Sequence, residues 1–478
     1  MTDVAPRSQP PGNPHLPVIR SSLIRAAAVC ALLWAAFFNG YAIIFSDTAS
    51  YLLTGLTFIP HWPFRSPGYS VFTKLTSLGI SAWLVIGVQA IIVVYLLDKT
   101  CAYLLGNERR YREISLFASV SVLAALTSLP WLVSQLMPDV FAGIAFLSSF
   151  LLAFDDQLPS EGRLFLAAIL MISAGVHTSL LPIATLFVAL LIIIKLVARL
   201  KKTATLRGAV LASLVVPLIA GGLSTATLNY RMHLGFKFSP SGKIFMLSRL
   251  FADGLAADFL RENCPKQPLI ACSYLSQLPR TQTEFLFENH PLLEEMVEHT
   301  DEMDEIVHGT LATYKLKFLT GSVRETFLQV VAFRTGDEVR SYHAKEWNRD
   351  AVAQVFPRDF QAFLNSKETR GQLLPLANAA AAIDTVAFWL SVVICLAFSW
   401  GKTMRHLNRF FYAALAFLLI NAAVCATFSG VFDRYQSRVA WLAALCATAY
   451  VCSWFKDRHR AENLSQEHCA PQMPSVVG

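Results

Sequence analysis

Residues 180–198 read LLPIATLFVALLIIIKLVA, nineteen residues whose one charge, Lys195, comes near the end. As a helix this run extends about 28 Å at 1.5 Å per residue, close to the roughly 30 Å of bilayer hydrocarbon. A helix that is apolar on every side has no face to give to water, so the run reads as a membrane span. Working outward, similar runs at 22–45, 82–105, 114–136, 138–154, 164–179, 209–228, 379–400, 410–428 and 438–455 bring the count to about ten. The range is nine to eleven, because the fourth and fifth runs are short and the fifth and sixth nearly fuse across Gly175 to Pro182. The fold class is therefore an all-α polytopic membrane protein. Composition agrees: of 478 residues 54% are hydrophobic and 15% charged, against about 25% charged in soluble domains, which excludes an ordinary soluble enzyme.

The net charge of +7 raises the question of a nucleic-acid partner, and the placement of the basic residues answers it. They form loop groups rather than one patch: Arg7, Arg20 and Arg25; Arg109, Arg110 and Arg112; Lys195, Arg199, Lys201, Lys202 and Arg207; Lys402, Arg405 and Arg409; and Lys456, Arg458 and Arg460. With ten spans all of them fall on one side, which the positive-inside rule makes cytoplasmic. Both termini are then cytoplasmic, in a cell inner membrane, and no nucleic acid is expected. The acidic link at 154–163 is neutral in this rule. Residues 1–20 read as a disordered cytoplasmic tail and not a cleavable signal, since the apolar run that follows exceeds a signal's 7 to 15 residues. Residues 456–478 read as a second tail.

Three units lie between the tails: a transmembrane module of about seven spans at 21–228, a polar insert at 229–378, and a module of about three spans at 379–455. The insert falls outside the cytoplasm and is expected to be mainly helical, with periodic runs from Leu292 to Phe318 and from Ser322 to Val331. Glu294, Glu295, Glu298, Asp301, Glu302, Asp304 and Glu305 read as a solvated helix face without EF-hand spacing. A divalent metal is possible but unsupported, and no cofactor is required. Of nine cysteines only Cys264 and Cys272 fall in the insert, where an oxidising compartment favours a disulfide between them.

Unusual polar residues gather at the outer turns. The first outer loop reads Phe45-Ser-Asp47-Thr-Ala-Ser-Tyr51 and then Pro60-His-Trp-Pro-Phe-Arg65-Ser-Pro67-Gly68-Tyr69; Asp139 marks the second turn, His177 the third, and Asp433-Arg434-Tyr435 the last. Each has a structural alternative: Asp47 and Asp139 as helix caps, Arg65 snorkelling to headgroups, His177 as a satisfied polar residue between helices, Arg434 on lipid phosphate. Arg231, Lys237 and Lys243 are lesser phosphate candidates. No P-loop, His-Glu-x-x-His or zinc spacing is present.

At these residues the chain resembles the GT-C superfamily of integral membrane glycosyltransferases, in particular bacterial relatives of protein O-mannosyltransferases and of the aminoarabinose and galacturonic acid transferases of lipid A. The resemblance covers the first ~200 and last ~100 residues and rests on the acid after the first span (Asp47, with Tyr51), Arg65 to Tyr69, the Pro-Asp at 138–139, His177 to Ser179, and Arg434-Tyr435. It implies transfer of a sugar from a polyprenyl phosphate carrier to an envelope acceptor (glycolipid, polysaccharide or protein), with the lipid bilayer as the further partner. Asp47 would be the base and Arg65 and Arg434 the phosphate-binding cations, with Tyr51, Tyr69, Asp139, His177 and Tyr435 as supporting residues. Many relatives carry Asp-Glu where this chain has Asp47-Thr48, and a second Pro at Ser66, so sugar and acceptor stay open. The rival classes are a polysaccharide polymerase or ligase, which shares the donor chemistry, and a lipid or solute transporter or flippase, which would place its polar residues near mid-bilayer.

The topology makes a direct prediction. A phosphatase fused near Glu295 should be active, and a cytoplasmic-only fluorescent reporter fused there should stay dark; fluorescence would overturn the orientation.

Overall fold

A computed structural model describes residues 16–61, 65–202, 207–337, 339, 346–400 and 404–469. The described residues fold into helices and contain no strand. Six of these helices are long and apolar enough to cross a membrane: Ala82–Leu105, Leu180–Leu200, Gly208–Arg231, Leu374–Ser399, Arg405–Phe428 and Asp433–Glu462.

The other four expected spans differ from simple crossings for identifiable reasons. The run 22–45 divides into Leu16–Leu32 and Trp34–Asn39, and Gly40 ends the second helix at φ 84°, a left-handed turn that favours glycine. Beyond it the chain is extended at Ile43, which makes a parallel bridge to Gln135. The run 114–136 breaks after Leu126, and Pro130 sits in the first turn of a new helix, Leu129–Ser134. Pro138–Phe154 is a shorter apolar helix and Ser160–Val176 has 17 residues. Every residue from Phe141 to Ala153 is buried, so that short helix is wrapped by protein and its length is not set by the bilayer. The first helix begins at Leu16, inside the stretch read as tail, and the last continues to Cys469. Residues 1–15 and 470–478 lie outside the described residues.

The insert is two things. Residues from Ile244 to Val307 build their own core around Leu247, Phe251, Phe285, Met296 and Ile306. Cys264 and Cys272 are disulfide-bonded there, and the Glu302 carboxylate accepts the N–H groups of Ile270 and Ala271 at 2.8 and 2.9 Å, fixing the stapled loop. The run expected from Leu292 to Phe318 is broken into Pro291–Glu298, Thr300–Thr313 and the start of Lys315–Val331. Farther along, Phe333, Val352, Phe356 and Phe363 join the main core, so the second half of the insert is part of the transmembrane body's packing.

Among the described residues, members of the five basic groups gather at one end, and Arg7 and Lys402 lie outside the described residues. Lys456 donates to the carbonyl of Leu105, and Lys195 and Arg409 both lie over the Phe154 ring, at 5.5 and 4.8 Å. At the other end three glycines let helices approach closely. A Cβ on Gly68 would lie 2.2 Å from the Gly175 carbonyl oxygen, and one on Gly221 would lie 2.6 Å from that of Met171. The Gly175 carbonyl also accepts from the Ser66 and Thr225 hydroxyls at 2.6 and 3.1 Å. Ser66, the departure noted in the resemblance, thus supplies a hydrogen bond that proline has no group to make.

Gly68→Ala should therefore destabilise the protein by about 1–3 kcal/mol, the usual cost of overpacking. Gly87→Ala, where a Cβ meets nothing within 4 Å, is the control. Thermal melts in detergent decide it, and equal melting of the two variants would show that this contact is unimportant.

Candidate active site

The site is built on the loop that follows Gly40. Ile43 donates to Ser134 O and its carbonyl accepts from Leu136 N, both at 2.9 Å. Glu368 holds the same loop from the other side, its carboxyl accepting the Ile44 N–H at 2.9 Å and its own N–H donating to Asn39 Oδ1 at 2.8 Å. Burial pushes the Glu368 carboxyl well above its usual pKa against the opposing pull of the Ile44 N–H. Farther along, Thr48 Oγ accepts the Phe45 N–H and Asn348 Oδ1 the Ala49 N–H. The loop is thereby rigid where it delivers Asp47.

Asp47 is 4% exposed and lies between two guanidiniums. Arg65 Nη2 donates to Oδ1 at 2.6 Å and Arg434 Nη1 to Oδ2 at 3.3 Å. Burial by itself raises the carboxyl's pKa, but the charges and hydrogen bonds of Arg65 and Arg434 outweigh it and hold Asp47 below the ordinary carboxylate range. Each cation rests on aromatic faces: Arg65 over Phe245 at 5.4 Å, Arg434 over Phe45 at 4.6 Å and Tyr435 at 5.1 Å.

The two arginines form the polar end of a cavity of about 660 Å³ whose other walls include Leu181, Leu186, Phe245, Val424 and Phe428. Phe245 belongs to the insert, on helix Gly242–Ala252, so the insert roofs the cavity. His177 and Tyr435 line it too. His177 sits in the turn between two helices, where Nδ1 accepts the Ser179 N–H at 3.1 Å and lies 2.9 Å from its hydroxyl. Its remaining proton is therefore on Nε2. Burial, then Arg438, Arg434 and Arg65, push the imidazole well below its usual pKa. It is a neutral hydrogen-bond donor at working pH and unsuited to be an acid there.

The remaining expected residues separate by role. Asp139 is buried beside Arg438 at 3.6 Å, outside hydrogen-bond range, and shares with Arg434 a small polar cavity that also touches Thr335 and Asp337. Tyr51 packs edge-on to Tyr69 at 5.0 Å, behind Asp47. Tyr69 is committed to structure: its hydroxyl donates to Gln89 Oε1 at 2.8 Å, and the Gln89 amide donates to the carbonyls of Val133 and Gln135. Tyr435 Oη is 3.0 Å from Ser429 Oγ at the cavity wall. Lys243 is paired with Asp304 within the insert and does not reach the cavity. Trp62, Pro63 and Phe64 lie outside the described residues. Among the described residues no group of three or more His, Cys, Asp or Glu is placed to hold a metal ion.

Two arginines escaped the sequence reading. Arg438, one turn after Arg434, is fully buried and donates to Asn421 Oδ1 at 2.9 Å and Ser179 Oγ at 3.1 Å, so it backs the His177 turn. A charge at the start of an apolar run was the available signal. Arg249 ties the insert to the membrane helices, pairing with Asp253 and Glu325 and donating to Ala426 O at 2.7 Å. Only its position in the folded chain reveals this role.

No family model, curated protein or solved structure matches the chain.

Proposed function

We propose that this chain is a multi-pass membrane glycosyltransferase that moves a sugar from a polyprenyl phosphate carrier to an envelope acceptor on the extracytoplasmic face. In this reading the four shorter helical segments join the six long ones in about ten crossings, with the basic end cytoplasmic and the Asp47 end outside. One observation carries the proposal: a carboxylate clamped by two arginines at the polar end of a large, mostly apolar cavity. Apolar walls suit an isoprenoid chain and the guanidinium forks suit phosphate.

The resting geometry also sets an order of events. With both oxygens engaged, Asp47 is a poor base. The donor phosphate competes for Arg65 and Arg434, and as it takes their N–H groups it releases the carboxylate. Asp47 then accepts the proton of the acceptor hydroxyl while that oxygen bonds to the anomeric carbon. The bond from that carbon to the phosphate oxygen breaks, and the oxygen leaves with the electron pair as a phosphate monoester. Its added negative charge is met by the same two arginines, now free of Asp47, and by the Nε2–H of His177.

Asp47→Asn should lower transfer from a labelled polyprenyl phosphate sugar in membranes by at least ~10² to 10⁴, the usual contribution of a positioned base. Arg65→Lys should be severely impaired, because an ammonium lacks the fork, while Glu298→Gln on the exposed face of the insert should be nearly silent. Size-exclusion profiles check that each variant is folded. Wild-type activity in Asp47→Asn with several donors would eliminate the base and favour a transporter.

The pH profile gives an independent test. The free protein's kcat/KM should show no limb at the usual imidazole pKa of about 6.5 or between there and pH 8, since His177 is held neutral there and Asp47 ionised. Asp47's lowered pKa puts the loss of its ion pairs, and of the stability they give, below about pH 4 as pH falls. A limb near pH 6.5 that disappears in His177→Gln would show that His177 titrates in the working range.

A further inference from the structure

A second concentration of charge lies at the opposite end of the molecule. Asp98, buried on Ala82–Leu105, is bound by Arg25 at 2.9 Å and by Arg112, whose Nε donates to Oδ1 at 2.7 Å. Next to Arg112, Glu113 takes Arg20 at 3.2 Å, Arg109 at 2.9 Å and the Ser21 hydroxyl at 2.5 Å. The separation from Asp47 follows from the last helix. Lys456 touches Leu105, and the 22 residues from Arg434 to Lys456 rise about 33 Å, the thickness of a bilayer core.

Two cavities meet at this cluster. One is a polar chamber of about 240 Å³ lined by Ser21, Asn107, Arg109 and Glu113 together with Arg25, Asp98 and Arg112. The other is an apolar groove of about 670 Å³ along Val29, Ile91, Val94 and Tyr95 that shares Arg25, Asp98 and Arg112 and includes Lys99. From Ile91 to Lys99 the helix rises about 12 Å, most of the roughly 15 Å of one leaflet's hydrocarbon. Among the residues lining the two cavities, Arg25, Lys99, Arg109 and Arg112 are four cations against the carboxylates of Asp98 and Glu113, an excess of two positive charges. The side chains of Arg25 and Arg109 are each 43% exposed, so the excess is accessible.

We infer that the joined cavities bind an anionic phosphoglyceride of the leaflet opposite the Asp47 site, one acyl chain in the groove and the headgroup phosphate in the chamber. A zwitterionic lipid brings no net charge to answer the excess. A chain of one-leaflet length fits the groove, whereas a long isoprenoid exceeds it. The phosphate is held by the guanidinium N–H groups of Arg25, Arg109 and Arg112 that face the chamber, with Asn107 and Ser21 as neutral partners. This site stands on its own observations and does not depend on sugar transfer at the other face.

Native mass spectrometry of the full chain in detergent tests it, with phosphatidylglycerol and phosphatidylcholine offered at equal concentration. Phosphatidylglycerol should be retained over phosphatidylcholine by about tenfold or more, given the strength of attraction per cation near a membrane surface. Lys99→Gln with Arg109→Gln should cut that preference at least threefold; Arg20 and Ser21 still hold Glu113 in this variant, which guards the fold. Ile91→Trp, at a position 58% exposed, should fill the groove and reduce retention of both lipids without changing the melting temperature. Equal retention of the two lipids by the wild type overturns the inference, as does a preference unaffected by both variants. Displacement of phosphatidylglycerol by an equal concentration of polyprenyl phosphate overturns the choice of lipid.

Discussion

A carboxylate removed from water costs several kcal/mol unless charges and hydrogen bonds replace its hydration, and Asp47 meets that condition through side chains 18 and 387 residues away. The pairing forces the start of the chain, the Arg65 stretch and the last helix to one point. It also explains the loop's construction: a parallel bridge, a buried Glu368 and the Thr48 and Asn348 contacts fix the backbone from Asn39 to Ala49, so the carboxylate does not have to find its partners from a mobile ensemble. Replacing such a pair with apolar residues is often neutral or stabilising, so stability alone is a weak reason for it to exist. A charge arrangement at the mouth of an apolar cavity is better accounted for by what the cavity takes in.

The helix packing serves the same point. Gly68, Gly175 and Gly221 remove the side chains that would hold three helices apart. The carbonyl of Gly175, two residues before His177, is the acceptor for Ser66 beside Arg65. The Arg65 stretch and the His177 turn are thus set against each other by a backbone contact, and Arg438 fixes the far side of that turn through Ser179. An added methyl at Gly68 would move both walls of the cavity at once.

What was legible in the sequence follows from what each signal reports. Hydropathy sees apolar length, so the six long helices were recognisable, while the division of 22–45 at Leu33, its end at Gly40 and the break of 114–136 after Leu126 depend on backbone turns that an average over a window conceals. Pro138–Phe154 is apolar because protein surrounds it, a cause that composition does not distinguish from lipid. Asp47, Arg65 and Arg434 stood out because charges beside apolar runs are rare, and the structure brings all three together. Tyr69 shared their motif yet serves Gln89 and the packing, since a motif gives neighbours in sequence and not the direction of a side chain. Glu368 and Phe245 lay in polar or unremarkable stretches, and only the folded insert brings them to the site.

Burial and the surrounding arginines act on both groups near the cavity's polar end: Arg65 and Arg434 overcome burial at Asp47, while at His177 burial, then Arg438, Arg434 and Arg65, act together. Beside Arg65 and Arg434 the acid Asp47 keeps its charge, and the base His177 loses its own. Neither group then changes charge across the neutral range. A site that recognises an anion by charge gains constancy from this. In the proposed mechanism it also divides the chemical work: the carboxylate accepts the proton, and the imidazole offers its Nε2–H. In the proposed mechanism the event that alters the balance is the arrival of another anion, which draws the arginines from Asp47 and changes it from a partner in an ion pair into a base.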